Sequence, residues 1–448
     1  MKVLYSILLA LLVCDGYSQH SIGIGCGQHR LLREMLKSPE RLKIHLAEQK
    51  ILEEHEKKML AQKTKGIVYT IPIVFHVIHN GGIENISDAQ ILDGLNVLNE
   101  DFRKLNSDAS TVNPAFQGLP ADVEVQFVLA TIAPDGSCFS GITRTPSPNS
   151  YVSNFSGGND QINDIINGND VYQGNWSSHN YLNVVVCGNP SDGVAGYTNY
   201  PSNSFGNSMN ASIWMRHDYV GTIGTGNSLG GRTLTHEAGH WLNLAHTWGS
   251  TNEPGLASNC NTDDNVIDTP NTIGTTWCNQ NDTSCGPLGN TENYMNYASC
   301  RKMFTPGQAN RMRAALTSSV GGRDNLWQTS NLIATGTLST PTLCNVNFEI
   351  KKIIDLKKLS HLASSTRFSF GSSQRLFENL GVFPGAVSPF CMLNGKKNGV
   401  KLFFDTNFKK IKNIYLHPFV NDRTVKMKFN DLVKFLYGFK IDINWISI

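Results

Sequence analysis

The sequence predicts an α+β fold: a mixed β-sheet with one long helix packed on it, followed by a second helix that carries three histidines. Three observations carry this prediction. Residues 67–78, IVYTIPIVFHVI, form an apolar, β-branched run. Ile91, Leu95, Leu98, Phe102 and Leu105 then recur at one-turn spacing, as on one face of a helix. Finally THEAGHWLNLAHTW, Thr235 to Trp248, sets three histidines in eleven residues around one glutamate.

Along the chain, Met1-Lys2, the apolar run Val3–Val13 and a polar exit with small Gly16 and Ser18 have the anatomy of a secretory signal, with cleavage expected after Ser18. Eleven apolar residues are too few to span a bilayer, so no membrane span is expected in the mature protein. Gln28 to Lys65 is polar and dense in charge, with Leu32, Leu36, Leu42, Leu46 and Leu52 at near-helical spacing, and reads as one or two surface helices. In the strand Ile67–Ile78, Pro72 predicts an edge or a bulge, because proline cannot donate to a ladder. Ser87 with Gln90 three residues on is a capping-box start for the long helix. Val123–Ala130 alternates as a half-buried strand, Tyr181–Cys187 is a more completely apolar one, and Gly193–Pro201 is expected to carry a short strand on an open edge.

The chain has 448 residues, enough for two or three domains, and a formal net charge of +2. That balance argues against nucleic acid or an anionic membrane as the main partner. Oligomeric state is not encoded in any pattern we recognise. Of ten cysteines, Cys260, Cys278, Cys285 and Cys300 sit close together in a loop-rich stretch. In an exported protein they read as two disulfides, and their spacing lacks the paired C-x-x-C knuckles of a zinc finger.

On a helix, His236 and His240 share one face, and Leu234, Ala238, Trp241, Leu242 and Ala245 form an apolar stripe on the other. Two imidazoles at i and i+4 can reach one tetrahedral Zn²⁺, but a catalytic site needs a third protein ligand and an open position. His246 is the natural third. To deliver it, the chain must leave the helix and turn back, which needs a residue tolerant of positive φ. Asn243 stands there, and asparagine is the commonest non-glycine residue in that conformation. Glu237 is placed to deprotonate the water that the metal activates. A chance H-E-x-x-H is an event of about a few per cent in a chain this long, and the third histidine lowers the expectation to roughly one in a thousand.

H-E-x-x-H-x-x-N-x-x-H resembles the zinc signature of metzincin metallopeptidases. The surroundings are similar to the pappalysin/cytophagalysin family: HTWG after His246, DTP at Asp268–Pro270, ENYMNYASC at Glu292–Cys300, MFTPGQANRMRAAL from Met303, and ISDAQILDGLNVLNEDFRKLN upstream, together covering residues 67 to 330. The resemblance implies a secreted zinc endopeptidase with a twisted mixed five-stranded sheet, two main helices above a horizontal cleft, and a loop-rich, disulfide-tied lower subdomain. It implies zinc on His236, His240 and His246, Glu237 as general base, and Met295 as the methionine of a turn beneath the zinc imidazoles. It also implies pairs Cys260–Cys285 and Cys278–Cys300, a protein or peptide substrate, and a bacterial source. Tyr297 matches a tyrosine that stabilises the oxyanion in several metzincins; the other reading is a packed structural aromatic. Rival functions are a secreted binding protein without turnover and a zinc amidase acting on a non-peptide amide.

Cys26, in CGQHR just after the signal, is either a zinc-blocking thiolate of a pro-segment covering residues 19–66, a disulfide partner or an idle thiol. As a blocking ligand it requires cleavage near Lys63–Gly66. Asp263, Asp264, Asp268 and Thr269 offer hard oxygens to calcium in a loop similar to calcium loops of the family, or are a solvated acidic loop. After the catalytic region, residues 331–448 match no module we recognise. From about residue 345 Lys, Phe and Ile dominate, as expected either of an A/T-rich gene read out of frame or of a basic accessory domain.

Overall fold

The computed structural model describes residues 25–62, 66–152, 159–203, 209–249, 251–338, 356–363, 373–382, 387–416 and 425–447. The expected signal segment, with Cys14, lies outside the described residues. The chain divides into two compact units, Met1–Cys344 and Asn345–Ile448.

The first unit opens with strand β1 (Gly25–Cys26) and helices α1 (Gln28–Leu36) and α2 (Pro39–Gln62), and continues with β2 (Tyr69–His79) and α3 (Asp88–Phe102). Then come β3 (Val125–Leu129), β4 (Ile142–Pro146), α4 (Asn159–Gly168), β5 (Leu182–Cys187), β6 (Val194–Thr198), β7 (Ile213–Arg216), α5 (Thr233–Trp241) and α6 (Pro306–Thr317). The mixed sheet has seven strands in the order β1-β6-β7-β5-β2-β3, with β4 also beside β2. Five were expected; seven are present, and β4, β7 and the two-residue β1 are the ones that no sequence reading marked. Only the β6–β7 pairing is antiparallel.

β2 is central, not an edge. β3 pairs with its first half and β4 with its second on one side, and β5 joins on the other. Pro72 is tolerated because odd-numbered amides such as Tyr69 and Phe75 point toward β3 and β4, so position 72 faces the β5 side, and the β5 pairing begins only at Ile73. Odd-numbered Ile71, Ile73, Phe75 and Val77 pack into one core with α3, α5 and α6. Even-numbered Val74 and Ile78 join Val185, Trp176, Trp214 and the α4 isoleucines in a second core on the opposite face. Burial on both faces explains the near-continuous apolar run.

α3 starts as expected, with Ser87 accepting from the Gln90 amide at 3.2 Å. The Gln90 side chain does not complete a capping box; its amide donates to the His217 and Val220 carbonyls, pinning the loop before α5. Lys104 takes a left-handed φ of 53°, so the chain leaves the helix before Leu105, which is exposed rather than part of the stripe.

The lower half, residues 249–305, is nearly all loop. Disulfides Cys260–Cys285 and Cys278–Cys300, with Cα separations of 5.2 and 5.5 Å, tie it together. Such bridges typically add about 2–4 kcal/mol each.

α2 lies on α6, with Glu56 paired to Arg311 at 3.2 Å and His55 bonded to Thr317 at 2.9 Å. Leu52 is accordingly buried, while Leu42 and Leu46 stay exposed.

In the second unit, β8 (Leu402–Asp405) pairs with β11 (Ile443–Ile446), and β9 (Asn413–Leu416) with β10 (Val425–Lys428). The helix Phe429–Gly438 buries Leu432 and Leu436 in a core with Phe404, Phe390 and Ile441. Apolar residues at helix spacing on one contiguous core are what the second expectation for this segment, a basic accessory domain, would build.

Candidate active site

α5 is buried along its whole length. It ends where the sequence required a turn: Asn243 has φ 73°, its amide donates to the His240 carbonyl at 2.9 Å, and the Leu244 amide donates to the Gly239 carbonyl at 2.9 Å. This is a Schellman end with asparagine in the glycine position. The Asn243 side chain also accepts from Gln49 of α2 at 3.0 Å, a bond that glycine could not make.

The turn returns His246 to the face of His236 and His240. The Nε2 atoms of His236 and His246 each lie 3.1 Å from Nε2 of His240. Every Nδ1 faces a backbone carbonyl: Tyr294 at 2.7 Å from His236, Leu244 at 2.6 Å from His240 and Thr251 at 3.4 Å from His246. With Nδ1–H donating outward, the three Nε2 lone pairs point at one another. Burial lowers the pKa of all three, that of His240 to about 3, so protons do not relieve the repulsion. A cation between them does, and ~3.3 Å is the nitrogen separation of a tetrahedral zinc site with bonds of about 2.0–2.1 Å. The residues fit a zinc ion.

Around this cluster the side chains are specialised. Glu237 is buried, its pKa is pushed up to about 8 by burial, and its Oε1 has no hydrogen-bond partner. Met295 is fully buried beneath α5; a Cβ on Gly239 would meet its sulfur at 2.5 Å, so only glycine permits this approach. The Trp248 ring of HTWG stacks on His246 at 4.5 Å, and the Tyr297 ring meets His246 edge-on at 4.9 Å.

Cys26 arrives on β1, which lies parallel against β6. Its Sγ is 3.5 Å from Glu237 Oε2, and it joins the three imidazoles in a buried set whose donor atoms all lie within 4.8 Å of one another. It is a free thiol, not a disulfide partner. The edge of β6 expected to be open is therefore covered by the chain's own N-terminal segment.

Several residues of the site were not legible in the sequence. Tyr297 Oη donates to Asn252 Oδ1 at 2.5 Å and accepts from the Cys26 amide at 3.1 Å, while Asn252 Nδ2 donates to the Cys26 carbonyl at 2.8 Å. Asp101 of α3, buried, accepts from Thr235 at 2.8 Å and Tyr294 at 2.5 Å and pairs with Arg232 at 3.2 Å, joining α3, α5 and the Met295 turn. A carboxylate interrupting the apolar stripe of α3 was the only available signal for it. Arg301, at the end of the segment after Tyr297, is buried beside Glu237.

Among the described residues, Asp263, Asp264 and Asp268 do not come together as a set of three metal-ligating carboxylates. Asp268 binds Thr305 Oγ1 at 2.6 Å and the Gly307 amide at 2.8 Å, capping α6, and Asp264 accepts from Thr269 at 2.6 Å. Asp263 accepts from the Asn265 amide at 3.3 Å. Among the described residues, the Cys26–histidine set is the one group of three or more such ligands found close enough to hold a metal.

The family model described as pregnancy-associated plasma protein-A matches residues 166–317. Mature mirolysin of Tannerella forsythia, solved with a cleaved peptide, is 32% identical with a TM-score of 0.51, covering 60% of this chain and 99% of that one. The chain belongs to the pappalysin family of metallopeptidases. A mutant of the precursor, promirolysin, matches over 68% of this chain and 97% of that one at 29% identity and a TM-score of 0.57. An extracellular metalloprotease of Arthroderma benhamiae is 29% identical over 262 residues, 56% of this chain and 78% of the relative. This pappalysin is thus a zinc metalloendopeptidase, a hydrolase of peptide bonds in proteins.

The C-terminal unit has a different likeness. Residues 346–435 match an aminoacyl-tRNA editing domain. The prolyl-tRNA editing protein of Acetoanaerobium sticklandii is 41% identical over 81 residues, 18% of this chain and 49% of that protein.

Proposed function

We propose that His236, His240 and His246 hold the catalytic zinc of this pappalysin, that Glu237 is its general base, and that the chain is made latent by Cys26. The observation that carries the reading is the convergence of three carbonyl-oriented imidazoles on one point beside Glu237. Zinc bound there supplies Lewis-acid polarisation of the scissile carbonyl and a water acidified to a pKa of about 7. Glu237 takes the proton from the attacking water and later delivers it to the departing amine. Tyr297 donates its hydroxyl hydrogen bond to the carbonyl oxygen as charge develops there. Met295 and the three backbone carbonyls hold the imidazoles in place. The turn at Asn243 removes the reason to favour an inactive binding protein, because the asparagine adopts the required conformation.

In the same proposal, residues 1–18 are a signal peptide for export from a bacterial host, 19–66 a pro-segment, and 67–330 the catalytic domain. The extracellular naming of relatives supports secretion. Cys26, in the place the substrate carbonyl and attacking water need, blocks the site until cleavage near Lys63–Gly66 releases β1, α1 and α2. An extended substrate then lies antiparallel along the vacated edge of β6. For calcium, the support is the buried Oδ2 of Asp264, which has no hydrogen-bond partner. We propose no reaction for residues 331–448, of which residues 346–435 resemble an editing domain and 81 residues align with 49% of one editing protein.

The test is cleavage of a diverse peptide library by the full chain, read by mass spectrometry, in four forms: precursor, processed chain, Cys26→Ala precursor and processed Glu237→Ala. We expect cutting by the processed chain and the Cys26→Ala precursor, none by the native precursor, and none by the Glu237 variant or with a zinc chelator. A Cys26→Ala precursor as silent as the native one sinks the latency reading; cutting that survives Glu237→Ala sinks the assignment of the base.

A further inference from the structure

Beside the histidine cluster, Thr233, His236 and Glu237 present one face of α5 to a cavity of about 420 Å³, whose other walls include Leu229, Tyr297 and Arg301. Cys26 stands at the same cavity, so its mouth opens where the scissile bond is placed. Arg301 is 8% exposed. Its neighbour Arg232 takes both nearby carboxylates, Asp101 at 3.2 Å and Asp108 at 2.7 Å. Among the described residues no carboxylate lies within 4.0 Å of the Arg301 guanidinium, and its one hydrogen bond is made by its backbone carbonyl, which accepts from Arg232. Lys302, next in sequence, is by contrast paired with Glu292 at 2.8 Å.

A buried cation without a counter-ion is costly, and arginine does not escape by losing its proton. Glu237 acts on Arg301 through space but contacts Cys26 and is reserved for proton transfer. Arg301, which lines this cavity as well as the neighbouring one beside Asp101 and Asp108, thus brings to its wall a fixed positive charge with five donors and no carboxylate within 4.0 Å. A carboxylate entering from the substrate satisfies both, in the fork geometry that favours arginine over lysine.

We propose that this cavity receives a substrate side chain next to the scissile bond and that Arg301 makes it selective for aspartate or glutamate. Arg301 is then a specificity-determining residue. The inference rests on the reading of the histidine cluster as the peptidase centre. An alternative role for Arg301, favouring the ionised form of Glu237, acts on every substrate alike.

The experiment uses the processed full chain on matched peptides that differ by Glu against Gln, or Asp against Asn, at each position flanking the cut bond. We expect kcat/KM to favour the acid by about 10-fold or more at one flanking position, as befits a charge-assisted pair in a dry pocket. Arg301→Gln is expected to bring that ratio to about 1, and Arg301→Lys to leave a smaller preference of the same sign. Equal rates for acid and amide at both positions, in the native chain, overturn the proposal without need of a variant. So does an Arg301→Gln chain whose pH profile shifts while its acid-to-amide ratio stays. Cutting with no acidic preference defeats this inference alone, whereas no cutting of any peptide defeats the peptidase reading beneath it.

Discussion

Tyr297 illustrates what a single side chain does in the latent chain and in the released one. Its hydroxyl is held between Asn252 and the Cys26 amide, and burial raises its pKa well above the usual phenol value, so it remains a donor across the neutral range. Loss of the pro-segment removes one partner and leaves Asn252 to aim it. Tyr297→Phe in the processed chain is expected to lower kcat by about 10²- to 10³-fold with little change in KM, since an oxyanion donor acts in the transition state. Unchanged kcat in steady-state assays would return Tyr297 to the role of a packed aromatic. Residues of this kind could be expected from the sequence because they lie in short motifs: two histidines and a glutamate on one helix, a third histidine just past the turn that ends it, then methionine and tyrosine two residues apart. Asn252 and Asp101 could not, because their partners Cys26 and Tyr294 lie 226 and 193 residues away and local spacing says nothing about such pairs; nor could Arg301, which no motif marks.

At the scale of elements, β2 was recognised as a strand but expected at an edge or with a bulge, and His76 shows what its central position entails. The imidazole bridges to both neighbouring strands, Nδ1 to Thr143 Oγ1 of β4 at 2.8 Å and Nε2 to Asn183 Oδ1 of β5 at 3.0 Å. Burial lowers its pKa from 6.5 to about 4, so the folded chain keeps it neutral where the unfolded chain protonates it. Its contribution to stability is complete above pH 6.5, declines as pH falls, and is lost once pH passes below about 4, a change on the order of 3 kcal/mol. His76→Gln, which can bond both partners but not titrate, is expected to flatten this part of the urea-midpoint profile between pH 7 and 4. An identical slope in native chain and variant would refute the assignment. The positions of α3, α5 and β6 were readable because an amphipathic period or a Gly-rich flank marks them. The order of strands was not, because parallel pairing joins segments that no turn connects.

The molecule as a whole joins a peptidase with a separate C-terminal unit, and the division was visible in the sequence as a shift of composition near residue 345. Composition alone does not tell a basic, Phe-rich fold from frame-shifted codons; a contiguous core under helix Phe429–Gly438 favours the fold. Every side chain assigned to the site precedes residue 302, and the cores around the sheet are formed by residues up to Leu326. A chain ending at Cys344 is therefore expected to keep the peptide-cleavage rate of the processed protein within about two-fold, since no catalytic group or core contact of the first unit is removed. Heating should show two transitions in the full chain and the peptidase transition alone in the shortened one, because units with separate cores unfold separately. A ten-fold loss of cleavage on truncation, or a single shared transition in the full chain, would mean that the C-terminal unit is an energetic part of the peptidase. The likeness of that unit to half of an editing protein would then mark where a scaffold was borrowed, and no longer a module that is independent of the peptidase.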